Sequence, residues 1–69
     1  MNTNEREKVQ AYLRLKFGTK GLVVRAGSGK DAPDEVMIDN EFIGVVYRNV
    51  DEGEVSYDFT MSILEMDLD

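Results

Sequence analysis

A Gly-Ser-Gly-Lys stretch at residues 27–30 is the first candidate for chemistry, because glycines just before a lysine are typical of phosphate-binding loops. A Walker-type loop also needs a glycine five residues before the glycine of the Gly-Lys pair. It further needs a Ser or Thr after the lysine and a helix that begins at the loop. Val24 and Asp31 occupy those two positions, and a strand-like segment follows. The stretch is therefore predicted to be a flexible hairpin loop.

The commonest catalytic side chains are missing, because the chain contains neither His nor Cys. Three carboxylates cluster at Asp51, Glu52 and Glu54, but Gly53 falls one place early for a calcium-binding EF-hand loop and no glutamate closes it. The sequence accordingly predicts no enzyme, no catalytic or metal-binding residues and no cofactor. A carboxylate-based cation binder or enzyme around residues 51–54 stays open as an alternative.

Charge is distributed unevenly along the chain. Residues 1–30 carry seven basic and two acidic side chains, whereas residues 31–69 carry one basic and twelve acidic side chains. The net charge of −6 disfavours nucleic acid and anionic lipid as partners. A weak nucleic-acid or anionic-ligand binder remains an alternative, with contacts in the basic half at Lys20, Arg25 and Lys30.

The first regular element is predicted to be a helix over residues 4–17. Its apolar residues follow the spacing of one helical stripe: Val9, Tyr12, Leu13 and Phe17. An Asn followed by a Glu three residues later occurs twice near its start, at Asn2 and at Asn4, as in a capping pair. Gly18 suits the left-handed position that closes a helix.

Four strands are predicted after the helix, at residues 22–26, 35–38, 41–47 and 55–63. The second and third are joined by Asp39-Asn40, a pair that tolerates positive φ and so favours a tight hairpin. The fourth shows the clearest signal, a strict alternation of apolar and polar residues. Residues 1–69 are therefore expected to form a single α+β domain, with the helix packed on a four-stranded, mostly antiparallel meander.

The tight hairpin predicts which residues share each face of the sheet, because residues directly opposite each other point to the same side. Met37 is then opposite Phe42, and Val36 is opposite Ile43. The helix side would carry Val36, Ile38, Ile43, Val45 and Tyr47. The second side would carry Met37, Phe42 and Val46 around Gly44.

This second side is too apolar to remain uncovered in water, so it is the predicted interaction site. Two explanations stay open: Met66 and Leu68 fold back over it, or it binds a partner protein or a second copy.

A family resemblance extends over nearly the whole chain. The stretches DNEFIGVVYR at residues 39–48 and DEGEVSYDFTMSILEMDLD at residues 51–69, with AYLRLKFG at residues 11–18, resemble the short bacterial proteins grouped as domain of unknown function 3126. The resemblance implies a compact bacterial cytosolic protein, and it implies no activity, substrate or catalytic residue.

The leading hypothesis is a non-enzymatic protein-interaction or self-association module in the cytoplasm. No stretch of about 18 apolar residues predicts a membrane span, so no membrane partner is expected.

Overall fold

The computed structural model describes residues 1–68 and consists of one helix followed by one antiparallel sheet. The elements are α1 (Thr3–Phe17), β1 (Leu22–Arg25), β2 (Asp34–Ile38), β3 (Glu41–Asp51), β4 (Glu54–Thr60) and a single 3₁₀ turn, Glu65–Leu68. The strands lie in the order β1-β2-β3-β4, with each neighbouring pair antiparallel. The predicted α+β fold, a helix with a four-stranded meander, is confirmed.

The helix begins and ends as its terminal residues predict. Asn2 is the N-cap: the backbone N–H of Glu5 donates to its side chain, and the Glu5 carboxylate accepts from the backbone N–H of Asn2. Of the two possible capping pairs, the chain uses this one. Gly18 closes the helix at φ 66°, in the left-handed region that glycine adopts at little cost.

The first two hairpins also agree with the sequence. The Gly-Ser-Gly-Lys stretch lies in the loop between β1 and β2, where the backbone N–H of Ala32 donates to the carbonyl of Gly29. Asp39 and Asn40 form the next turn with φ of 50° and 69°, and positive values at both central residues match the twist of a two-residue hairpin.

A β-bulge in β3 changes the predicted register. Met37 is opposite Phe42 as expected, but Val36 is opposite Gly44, so Ile43 is an extra residue between the two pairs. The predicted pairing of Val36 with Ile43 is therefore wrong. Since neighbouring residues of a strand point to opposite faces, one inserted residue exchanges the two faces for the rest of β3.

The exchange corrects three side-chain assignments. Val46 is opposite Asp34 on the helix side and is only 2% exposed, so it belongs to the core and not to the second face. Val45 is opposite Glu35, and Tyr47 follows two residues later. Val45 and Tyr47 therefore lie on the face turned away from the helix, contrary to the prediction.

Strand lengths differ from the prediction at the last hairpin. β3 continues through residues 48–51, which were expected to be a loop, and a two-residue turn follows at Glu52 (φ 51°) and Gly53 (φ 84°). β4 ends at Thr60 instead of residue 63. Near this end, Gly44 lacks the Cβ that would collide with the Thr60 carbonyl, so the two strands approach closely there.

The core lies between α1 and the sheet. Its buried residues are Leu13, Leu22, Val24, Val36 and Val46. At its margin the Nε of Arg6 donates to the carboxylate of Asp34 at 2.6 Å, and Asp34 is 5% exposed. Within residues 1–68 no helix has the length and apolar character needed to cross a membrane.

Candidate protein-interaction surface

The structure divides the three residues predicted to form the interaction site. Met37 and Phe42 are cross-strand partners on the face turned away from α1, hereafter the outer face, and Phe42 is exposed. Val46 points to the opposite side and packs in the core. The outer face instead gains other apolar side chains that are at least partly exposed: Val23, Val45 and Tyr47.

The C-terminal segment does not cover the outer face in the way proposed for Met66 and Leu68, because both side chains are exposed. Leu64 and Asp67 instead line a cleft of about 620 Å³ together with Phe42, Val45 and Tyr47. The last residue of the predicted segment 64–69 lies outside the described residues. The outer face therefore remains accessible beside this segment.

A second apolar surface lies on the helix side of the sheet. α1 and the last two strands enclose an open groove of about 400 Å³, hereafter the α1–β4 groove. Its lining residues are Lys8, Val9, Tyr12, Leu13, Val46, Tyr57 and Phe59. Tyr12 is 60% exposed at the helix wall, although it belongs to the apolar stripe of α1. The groove is thus an apolar depression with one basic side chain at its wall.

Two contacts hold the walls of this groove in place. At one end the rings of Phe17 and Phe59 are 6.0 Å apart between centroids and inclined by 58°, a favourable aromatic arrangement. At the other end, Glu5 Oε2 accepts hydrogen bonds from the Tyr57 hydroxyl at 2.5 Å and from Arg48 Nε at 2.7 Å. Glu5, which is part of the capping box of α1, therefore also links the helix to β3 and β4.

These hydrogen bonds perturb the ionisation of all three groups. The Tyr57 hydroxyl, then Arg48, then the backbone N–H of Asn2 donate to the Glu5 carboxylate and lower its pKa from 4.5 to about 2. The hydrogen bond to Glu5 raises the pKa of Arg48, and the same carboxylate raises the pKa of Tyr57. The cluster links the helix to the sheet. Its carboxylate, guanidinium and hydroxyl groups are hydrogen-bonded to one another.

The predicted anion contacts lie before, within and after β1. Arg25 Nε donates to Glu35 Oε1 at 2.9 Å on the outer face, which partly neutralises its charge. Lys20 precedes β1 and Lys30 lies in the loop beyond its other end. The span of β1 therefore separates the two lysines along the chain.

The acidic hairpin does not gather ligands for a cation. Asp51 and Glu54 flank the turn of the β3–β4 hairpin and pair across it. No group of three or more His, Cys, Asp or Glu side chains in residues 1–68 is positioned to hold a metal ion.

The two edges of the sheet differ in how their backbone groups are satisfied. At the β1 edge, the Gln10 side chain accepts from the backbone N–H of Val24 at 3.0 Å, and Arg14 Nε donates to the carbonyl of Leu22 at 2.6 Å. β4 is the other edge, and no strand within residues 1–68 lies beyond it. Side chains of α1 thus bond to backbone groups at the β1 edge. The β4 edge is open to solvent beside the α1–β4 groove.

Sequence reasoning missed the groove residues Tyr12, Tyr57 and Phe59. A usable signal existed, because the strict alternation of β4 places Val55, Tyr57 and Phe59 on one face, and Tyr12 is in the helical stripe that packs on that face. The predicted register lacked the bulge and therefore placed Val45 and Tyr47, instead of Val46, on the helix side of β3.

These features define a small α+β protein built on a single meander, with an apolar groove and one open sheet edge. The chain belongs to the family described as Protein of unknown function (DUF3126), whose model matches residues 5–67. This match confirms the resemblance seen in the sequence. No curated protein and no solved structure matches the chain.

Proposed function

We propose that the chain is a non-enzymatic protein-interaction or self-association module. The observation that carries this proposal is the α1–β4 groove, an exposed apolar depression of about 400 Å³ lined by Tyr12, Tyr57 and Phe59. Exposed apolar patches with a polar surround commonly mark protein-binding surfaces. Tyrosine suits such a surface because its ring is apolar while its hydroxyl can still bond to water.

The outer face supports the same proposal as a second contact surface. Met37 and Phe42 lie opposite each other there, and Tyr47 is exposed nearby. The bacterial cytoplasm, which the sequence predicts, is the compartment we propose for the interaction.

The test compares tagged wild-type protein with two helix variants in capture from a bacterial lysate of its own source. Tyr12→Glu places a charge in the groove, whereas Leu15→Glu places the same charge on α1 at a residue that is 84% exposed and lines no described groove. Both substitutions keep a good helix former, so both variants are expected to fold.

We expect a defined protein to be captured by wild type and Leu15→Glu and lost with Tyr12→Glu. Untagged copies of the chain that Tyr12→Glu still captures indicate self-association through another surface. A Phe42→Asp variant run in parallel reports whether the outer face contributes. Capture that persists as salt is raised indicates apolar association, since phosphate binding weakens steeply with salt. Recovery of nucleic acid alone would contradict the proposal.

A further inference from the structure

We infer that the open edge of β4 pairs with β4 of a second copy of the chain, antiparallel and with Tyr57 opposite Tyr57. This inference rests on the proposed function and names its partner, surface and register. The supporting observations are the hydrogen-bond pattern of the β3–β4 hairpin, the positions of its carboxylates and the amount of exposed surface.

The hairpin determines which backbone groups of β4 face outward. The Glu52-Gly53 turn joins Asp51 to Glu54, so the turn hydrogen bond makes this pair a hydrogen-bonded one. Hydrogen-bonded and non-bonded pairs alternate along an antiparallel ladder. Every second residue after Glu54 therefore bonds to β3, and the residues whose N–H and C=O groups point to the open edge are Val55, Tyr57 and Phe59.

Self-pairing through these groups allows three registers with substantial overlap. With Tyr57 opposite Tyr57, all seven residues of β4 pair, Glu54 is opposite Thr60, and Asp58 is opposite Ser56. No carboxylate then lies directly opposite another, which avoids the destabilisation of opposed like charges.

The two neighbouring registers lack this property. With Val55 opposite Tyr57, Glu54 meets Asp58 of the other copy. With Phe59 opposite Tyr57, Asp58 meets its own equivalent. In one register only, β4 can therefore pair with β4 of a second copy along its whole length without directly opposed carboxylates.

The exposed surface of the chain is large enough to include an interface of ordinary size. A monomeric globular protein of 7.8 kDa is expected to expose about 4,400 Å². This chain exposes 5486 Å² and is elongated, with extents of 43 × 23 × 22 Å. The surplus of about 1,100 Å² exceeds the roughly 800 Å² per partner that a standard interface buries.

The symmetry also brings the grooves together. Two antiparallel strands are related by a twofold axis perpendicular to their sheet, so both α1 helices lie on the same side of the eight-stranded sheet. The α1–β4 grooves then open toward each other across the axis, with Tyr57 of each copy at the centre.

Disulfide trapping tests the register directly, since the chain has no native cysteine. Residues that form a hydrogen-bonded antiparallel pair have Cα atoms about 5.5 Å apart, within the range that a disulfide spans. Under mild oxidation by oxidised glutathione, Tyr57→Cys should form a covalent dimer. Val55→Cys and Phe59→Cys should not, because each is offset from its equivalent by about 13 Å along the strands. The double variant Val55→Cys/Phe59→Cys keeps Tyr57 and should cross-link.

Sedimentation equilibrium of the wild type supplies the second measurement. We expect a mass about twice 7.8 kDa. Tyr57→Pro removes an outward N–H without removing a bond to β3, and it should weaken the dimer at least tenfold.

The outcomes separate this inference from the proposed function. A wild type that stays monomeric at about 1 mM, or a dimer that cross-links through Phe42→Cys and not through β4, overturns the inference. If the monomer still captures another protein in a Tyr12-dependent way, the proposed function stands without it. A monomer that captures no protein contradicts both.

Discussion

The bulge at Ile43 predicts a large difference between two adjacent valines. Val46 is 2% exposed on the helix side, whereas Val45 lies partly exposed on the outer face. Substitution by alanine removes two methyl groups from either residue. At about 0.8 kcal/mol per group the transfer term for Val46 is about 1.6 kcal/mol, and the cavity left behind raises the loss to about 2–3 kcal/mol. Val45→Ala should cost less than about 1 kcal/mol, since part of its side chain already contacts water.

The assay is urea unfolding followed by circular dichroism, with both variants and wild type at one low protein concentration so that self-association contributes equally. A chain of this size has a total stability of only about 3–10 kcal/mol, so the Val46→Ala loss is a large fraction of it. Thermal unfolding should show a corresponding decrease of about 8–24 °C in Tm. An unbulged strand would place Val45 inward, so the reasoning is refuted if Val45→Ala is the more destabilising substitution.

Two further predictions concern the ion pairs between the helix and the sheet. The folded state lowers the pKa of Glu5 from 4.5 to about 2, so its stabilising effect is fully present above pH 4.5 and is lost as the pH falls toward 2. Acid titration of Glu5→Gln should show a weaker loss of stability over this window than wild type, and identical profiles would contradict the assigned hydrogen bonds. Asp34→Ala leaves the Arg6 guanidinium without its buried partner and should cost about 3 kcal/mol in urea unfolding. The double variant Arg6→Met/Asp34→Ala should recover part of that loss, and additive costs would argue against a direct pair.

The sequence predicts the parts of the fold that depend on local signals. The helix, the first hairpin and the Asp39-Asn40 turn follow from helical spacing, capping and positive-φ residues that lie close together in the chain. The same signals place Met37 opposite Phe42 correctly.

Register beyond the turn could not be predicted, because residues 42–47 are almost entirely apolar. A strand with apolar residues at both odd and even positions does not show which set faces the core, so a one-residue insertion leaves no trace in its pattern. The prediction that Val46 lies on the interaction face is therefore wrong, and the residue packs in the core.

The polar end of β3 was missed for a different reason. Arg48 and Asn49 are typical of loops, but Arg48 bonds to Glu5, which is 43 residues earlier in the chain. A contact of that separation leaves no local signature.

The unequal edges of the sheet limit how far such a chain can assemble. A sheet with two unpaired edges can act as a template for continued strand addition. Here the side chains of Gln10 and Arg14 bond to the N–H of Val24 and the carbonyl of Leu22, so a strand that adds to β1 has to displace these bonds. If β4 pairs with a second copy as we infer, α1 would favour a dimer over a longer assembly, because its side chains already bond to backbone groups of the opposite edge.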